Sequence, residues 1–293
     1  MIAETVQLRI GSGSARLQKY LLHRSLEFQA DRHRPAVIVC PGGGYLSTSD
    51  REAEPVALRF AAHGYHVFVL RYTTWFGEYV PDLNETPPGN ESSAWPQPLL
   101  EVAAALATVR QNAAEWNVDP DRIAVVGFSA GGHLAASLGA HWADAFVREK
   151  VGVRAELMRP DALILGYSLV DHAHALRREE QAAFKALVYR AHFGRPDPSL
   201  QEREALSPVR YVNDGTPPTF LWHTADDELV SSRNSLLWAM ALEERGIPYE
   251  LHIFESGVHG LSLADETSAA DGTHINAGCQ KWFELALTWL RSR

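Results

Sequence analysis

Apolar and polar residues follow one another along this chain in two rhythms. Nearly continuous apolar runs at residues 36–40, 66–71, 122–127, 162–166, 219–223 and 249–254 read as strands covered on both faces. Between them apolar residues recur at helical spacing, as in Leu99, Val102, Ala103, Leu106 and Val109. Leu236, Leu237, Met240 and Ala241 repeat that spacing before Gly246 and Pro248 end the segment. Strand–helix alternation predicts an α/β fold with a mostly parallel central sheet and helices on both faces. Residues 6–10 and 17–28 look like antiparallel strands at one edge.

Two stretches break the rhythm. Residues 73–98 hold Pro81, Pro87, Pro88, Pro96 and Pro98 among turn formers and predict a long ordered loop. Residues 171–207 form the other, helical over 181–192 and stopped by Gly194-Arg195-Pro196; this reads as a small helical insertion over one sheet edge. With no internal repeat and no low-complexity linker, the expectation is one domain over residues 1–293.

Composition narrows the classes. The 293 residues are 46% apolar, enough for a sizeable core, and 27 basic against 36 acidic residues leave a net charge of −9. An anionic surface argues against nucleic acid and anionic lipid as main partners and favours a small, uncharged substrate. Cys40 and Cys279 lack C-x-x-C spacing, so neither a disulfide nor a metal site is expected from them. The opening MIAETVQLRI has no secretory character and no window is apolar enough for a membrane span, which predicts a cytoplasmic protein. The tryptophans leave a homo-oligomer open.

The chemistry concentrates in three places. Gly127-Phe128-Ser129-Ala130-Gly131 directly follows the strand 122–126 and opens a helix through Gly132 and Leu134. G-x-S-x-G alone is common, but a strained strand-to-helix turn needs small neighbours to clear an exposed nucleophile, and this context makes Ser129 the candidate. Pro41-Gly42-Gly43-Gly44-Tyr45 follows the first central strand, where ligands bind in open α/β sheets. Glycine lets backbone N–H groups approach an oxyanion unobstructed, so Gly43, Gly44 and Ala130 are the candidate donors. No Gly-Lys-Ser/Thr follows, which removes the phosphate-loop reading.

Serine needs a base. Among 13 histidines most have structural readings, His133 on the helix behind the nucleophile and His252 within a strand among them. His259, in Gly257-Val258-His259-Gly260 between the last strand and the final helix, is the candidate. The orienting acid should follow the preceding strand, where Asp226 and Asp227 are adjacent. His223 and Val230 frame Asp227 as in His-Gly-x-x-Asp-x-x-Val, which favours Asp227 and leaves Asp226 as a loop or capping residue. The chain order Ser129, Asp227, His259 is that of α/β hydrolases.

On these motifs the chain resembles an α/β-hydrolase-fold esterase, close to carbohydrate acetyl esterases and hormone-sensitive-lipase-like esterases, and is similar to small bacterial esterases whose oxyanion segment reads P-G-G-G-Y. The likeness also takes in Arg51 to Ala57, Gly64-Tyr65, Trp222-His223-Thr224, Asn234-Ser235-Leu236 and His259 to Ser262, so it runs from residue 35 to residue 290. It implies short-chain ester hydrolysis, often of acetylated sugars, with no metal or organic cofactor. Ser231 departs from it, standing where such proteins often carry proline after the valine. Tyr45, Tyr72, Trp75, Phe76, Tyr79 and Trp95 cluster in or beside the long loop; Tyr45 and Trp75 are the expected sugar-stacking contacts, against the alternative that the aromatics pack the loop down. Competing readings are a prolyl-oligopeptidase-type peptidase without its propeller, an arylformamidase-like amidase, and a non-catalytic hydrolase-fold binding protein.

Overall fold

Alternation of side chains along each strand sorts the core onto two faces. Ala36, Ile38 and Cys40 join Phe68, Leu70, Val125, Leu163 and Leu165 in one apolar cluster, while Val37 and Val39 join Val67, Val69, Val126 and Ile164 in the other. The structure is a computed structural model that describes residues 1–25, 27, 33–77, 79–80, 82, 87–174 and 182–293.

The strands are β1 (Ile2–Gln7), β2 (Arg16–Leu21), β3 (Arg34–Cys40), β4 (His66–Arg71), β5 (Val118–Phe128), β6 (Ala162–Gly166), β7 (Thr219–Thr224) and β8 (Tyr249–Phe254). They form one sheet in the order β1-β2-β4-β3-β5-β6-β7-β8. β1 and β2 run antiparallel to their neighbours, and β4 through β8 are joined in parallel. Helices α2 (Gln97–Gln111), α4 (Ser129–His141) and α8 (Arg233–Glu243) supply Leu106, Leu134 and Trp238 to the first cluster. On the opposite face α1 (Glu54–Ala62) and α9 (Lys281–Arg291) supply Phe60, Trp282 and Leu287. The shorter α3 (Ala113–Trp116) and α5 (Ala145–Val151) lie in connections, and α6 (Ala182–Phe193) with α7 (Leu200–Ala205) falls in the 171–207 stretch.

Element boundaries moved where burial, not pattern, decides. The first strand occupies residues 2–7 instead of 6–10 and is mostly exposed, held by its pairing with β2. β2 stops at Leu21 and residues 22–25 follow without strand structure, so the expected strand is shorter; Phe28 lies outside the described residues, as do Pro81 and Gln181. β5 starts early, at Val118, pairing with Arg34 before a register shift. β8 is an edge strand, part-exposed and not covered on both faces. Both cysteines are free and buried.

The chain steps from β3 outward to β4 and then returns to β5 on the other side of β3. That reversal opens a crevice at the carboxyl ends of β3 and β5. Cys40 pairs with Gly127 there, so the glycine run after β3 begins beside the turn after β5.

Candidate active site

Ser129 holds a backbone φ of 51°, a left-handed conformation that costs a non-glycine residue free energy and lifts its side chain clear of the turn. The turn closes only because its neighbours are glycine. A Cβ on Gly127 would strike the Gly131 carbonyl, one on Gly131 the Cys40 carbonyl, and one on Gly132 the Ser168 side chain. Ser129 begins α4, whose first-turn N–H groups, that of Ala130 included, have no intrahelical acceptor.

The loops after β7 and β8 bring the two remaining side chains to this point. The Ser129 hydroxyl lies 2.8 Å from His259 Nε2, and His259 Nδ1 lies 2.7 Å from Asp227 Oδ2. With Nδ1–H donating to the carboxylate, Nε2 is left as acceptor for the serine hydroxyl. Asp227 is fully buried, and its Oδ1 accepts from the N–H groups of Leu229 and Val230, each at 2.9 Å. Burial pushes the Asp227 carboxyl up, but hydrogen bonds from the His223 and His259 imidazoles outweigh it and hold the group well below the usual carboxylate range. Asp226 is exposed, and its Oδ1 accepts the Gly257 N–H at 2.8 Å, which ties down the loop that carries His259. Of the two adjacent acids, the structure sets Asp227 against the imidazole.

Gly43, Gly44 and Ala130 line the same cavity as Ser129 and His259; its volume is about 730 Å³. Gly43 and Gly44 have φ of 126° and 64°, which suits glycine. The Gly42 N–H is taken by the buried carboxylate of Glu52, at 2.6 Å. Glu52 also accepts the Tyr167 hydroxyl at 2.7 Å, and Tyr167 accepts the Ser262 N–H at 2.9 Å. One carboxylate thus bridges the glycine loop to the segment following His259. The Tyr167 ring stands edge-on to the His259 imidazole, centroids 5.0 Å apart. Arg51 reinforces the link by donating to the carbonyls of Gly260 and Ser268.

Arg51 and Glu52 lie in a motif that carries the family resemblance only, and no local pattern marks Tyr167. Their roles depend on contacts across 115 to 217 residues of sequence, which no local pattern announces. The two expected aromatic contacts divide. Tyr45 reaches the cavity wall, but its ring is buried and its hydroxyl is bound 2.7 Å from His133 Nδ1. Trp75 is a correction: it packs against the core beneath the loop, with its indole filling the space beside Gly89, and Phe76 and Tyr79 face the cavity instead. The glycine at position 89 has room for that indole only because it lacks a Cβ.

Among the described residues no helix is long and apolar enough to cross a membrane. The BD-FAE family model matches residues 25–242. A carboxylesterase from Lactobacillus plantarum WCFS1 superimposes with a TM-score of 0.82 at 27% identity, covering 100% of this chain and 98% of that one. An acetyl ester-xyloside bifunctional hydrolase from Caldicellulosiruptor lactoaceticus is 35% identical, with a TM-score of 0.73 over 95% of this chain and 88% of its own. Endo-1,4-beta-xylanase B of Butyrivibrio fibrisolvens is 33% identical over 242 residues, and the acetylxylan esterase of Xylanibacter ruminicola 26% identical over 233. The chain spans 34% and 41% of the length of these two curated relatives, while they match 80% and 78% of it. The chain belongs to the BD-FAE family, among the α/β-hydrolase-fold esterases.

Proposed function

From that membership we propose that the chain hydrolyses short-chain carboxylic esters, acetylated carbohydrates foremost, through an acyl-enzyme on Ser129. The observation that carries the reading is the unbroken hydrogen-bonded line from Ser129 through His259 to Asp227, at 2.8 and 2.7 Å, opening on a cavity lined by the glycine loop. His259 takes the Ser129 proton as the hydroxyl oxygen attacks the ester carbonyl. The N–H groups of Gly43, Gly44 and Ala130 receive the developing oxyanion, a contribution worth about 10²–10³ in turnover per donor. His259 then protonates the departing alcohol, and water repeats the sequence on the acyl-enzyme. Asp227, ionised and immobilised by two backbone donors, keeps the imidazole in the tautomer this needs and stabilises its cation.

Support for an acetylated sugar comes from the cavity wall and from the relatives' names. Phe76 and the largely exposed Tyr79, 73% accessible, line the cavity and are aromatic residues of the kind on which a pyranose stacks. Ser47, Asp50 and Arg51 on the same wall offer partners for sugar hydroxyls. The chemistry is complete within the chain's own residues and the substrate is a small molecule. The catalytic groups are spread from Gly43 to His259, so that whole stretch works as one unit, in keeping with a single domain over 1–293.

The test is a panel of acetylated xylo-oligosaccharides, aryl esters of increasing chain length and N-formylkynurenine, run with wild type and Ser129→Ala. Acetyl release that outpaces the other substrates, abolished in the folded Ser129→Ala variant, is the expected outcome. Faster turnover of the formyl amide would replace the ester reading, and unchanged turnover in the variant would remove the serine mechanism.

A further inference from the structure

At the wall of the cavity, which His172 itself lines, lies a second group of histidines that ester hydrolysis does not use. His133 on α4, His172 after β6 and His192 on α6 are each essentially buried, at 0%, 1% and 0% exposure. Their ring centroids stand 4.8 Å apart for His133–His172, 4.8 Å for His133–His192 and 5.2 Å for His172–His192. His133 Nε2 and His172 Nε2 are 3.2 Å apart, and one nitrogen from each of the three rings falls within 4.8 Å of the others.

The hydrogen bonding around them is incomplete. His133 is satisfied on both sides, its Nδ1 meeting the Tyr45 hydroxyl at 2.7 Å and its Nε2–H donating to the Leu206 carbonyl at 2.8 Å, so the gap lies with the other two rings. Among the described residues, His172 Nδ1 and both nitrogens of His192 have no partner. A buried imidazole nitrogen without a partner loses its hydration for nothing, at about 1–3 kcal/mol each. Two adjacent rings in that condition are rare for a core that could have used leucine.

We propose that His133, His172 and His192 form a binding site for one divalent late first-row transition ion, of the zinc class. Three imidazoles select such ions over magnesium or calcium, which prefer oxygen. A tetrahedral ion with metal–nitrogen bonds of about 2.0–2.1 Å holds its donors about 3.3 Å and the ring centroids about 5 Å apart; the centroids and the His133–His172 nitrogen pair match this, and the third nitrogen, within 4.8 Å of the others, closes in on binding. Coordination through His133 Nε2 gives up its donation to the Leu206 carbonyl and leaves that ring's proton on Nδ1, where the Tyr45 oxygen accepts it; this is the usual partner arrangement that fixes a ligating tautomer. Burial lowers all three imidazoles below the ordinary histidine range, that of His133 to about 4, and so keeps the lone pairs free at neutral pH. The site lies on Tyr45, next to the glycine loop but outside the Ser129–His259–Asp227 line, and stands whether or not the ester reading holds.

The experiment strips the purified chain with a chelator and titrates Co²⁺ as a spectroscopic stand-in, then Zn²⁺ in competition. The expected result is one Co²⁺ per chain with a tetrahedral ligand-field spectrum, displaced by Zn²⁺, and an upward shift of the melting temperature on saturation. His192→Leu loses the spectrum and the shift while its metal-free form melts no lower than metal-free wild type, because unpaired buried nitrogens have been removed. His172→Leu loses them as well and stands in if His192→Leu does not fold. Absence of a tetrahedral spectrum in wild type, or a spectrum undiminished in either variant, overturns the site; the latter would assign the binding to surface histidines.

Discussion

Two groups of histidines lie within one part of this molecule, and they are solved differently. His259 and His223 have both ring nitrogens engaged: His259 between Ser129 and Asp227, His223 between Ser235 and the Val230 carbonyl, with Asp227 3.3 Å from it. His172 and His192 are as deeply buried as His223 yet leave three of four nitrogens without protein partners among the described residues. The difference separates a set of imidazoles whose job is complete within the chain from a set that is incomplete without something else. Burial alone does not make that distinction; the accounting of donors and acceptors does.

The comparison can be broken first at the acid. Asp227→Asn should cost about 10⁴ in kcat, because an amide cannot hold the imidazole in the required tautomer. Asp226→Asn should cost far less, since an amide oxygen can still accept the Gly257 N–H. Comparable losses in steady-state kinetics would mean that the two carboxylates share the role.

A smaller effect should come from Glu52. Glu52→Gln replaces one carboxylate oxygen by a donor where both Gly42 N–H and Tyr167 O–H already donate. We expect kcat to fall about tenfold as the glycine loop and the His259 segment lose their common anchor, with KM little changed. An equal rise in KM would identify Glu52 as a substrate contact, and Glu52→Asp would report how closely the spacing matters.

The smallest effect concerns stability and pH. His133 and His66 are both pushed down to about 4 by burial, and His172 and His192 are also lowered. A histidine with a folded value below its unfolded one, near 6.5, binds its proton more readily when unfolded. Its contribution is therefore fully present above about pH 6.5 and is lost as pH falls toward 4. Urea midpoints for metal-free protein should drop across that window, and His192→Leu should flatten the slope. A slope unchanged by the substitution would show that the cluster is not what titrates.

Much of this site was legible before any coordinates. The elbow serine and the glycine run announce themselves because backbone sterics demand glycine at Gly127, Gly131 and Gly43, and chain order then points to His259. Trp75 falls on the packing side of the two alternatives for a physical reason: a proline-rich loop can present an aromatic to either side, and the missing Cβ of Gly89 leaves the space its indole fills. His133, read as a structural helix residue, shares that position with two histidines 39 and 59 residues away, a convergence that no local spacing encodes.

What the sequence by itself determined was the alternation of parallel strands and helices, and the residue types at the ends of β3, β5, β7 and β8, because period, glycine sterics and chain order are local properties. What only the tertiary structure decided was which of two adjacent aspartates meets the imidazole, which carboxylate ties the loops together, and which buried histidines are left unpaired. Those depend on side chains brought together across the sheet. A hydrogen bond of 2.7 Å is set by where loops land in space, and residue spacing along the chain does not encode it.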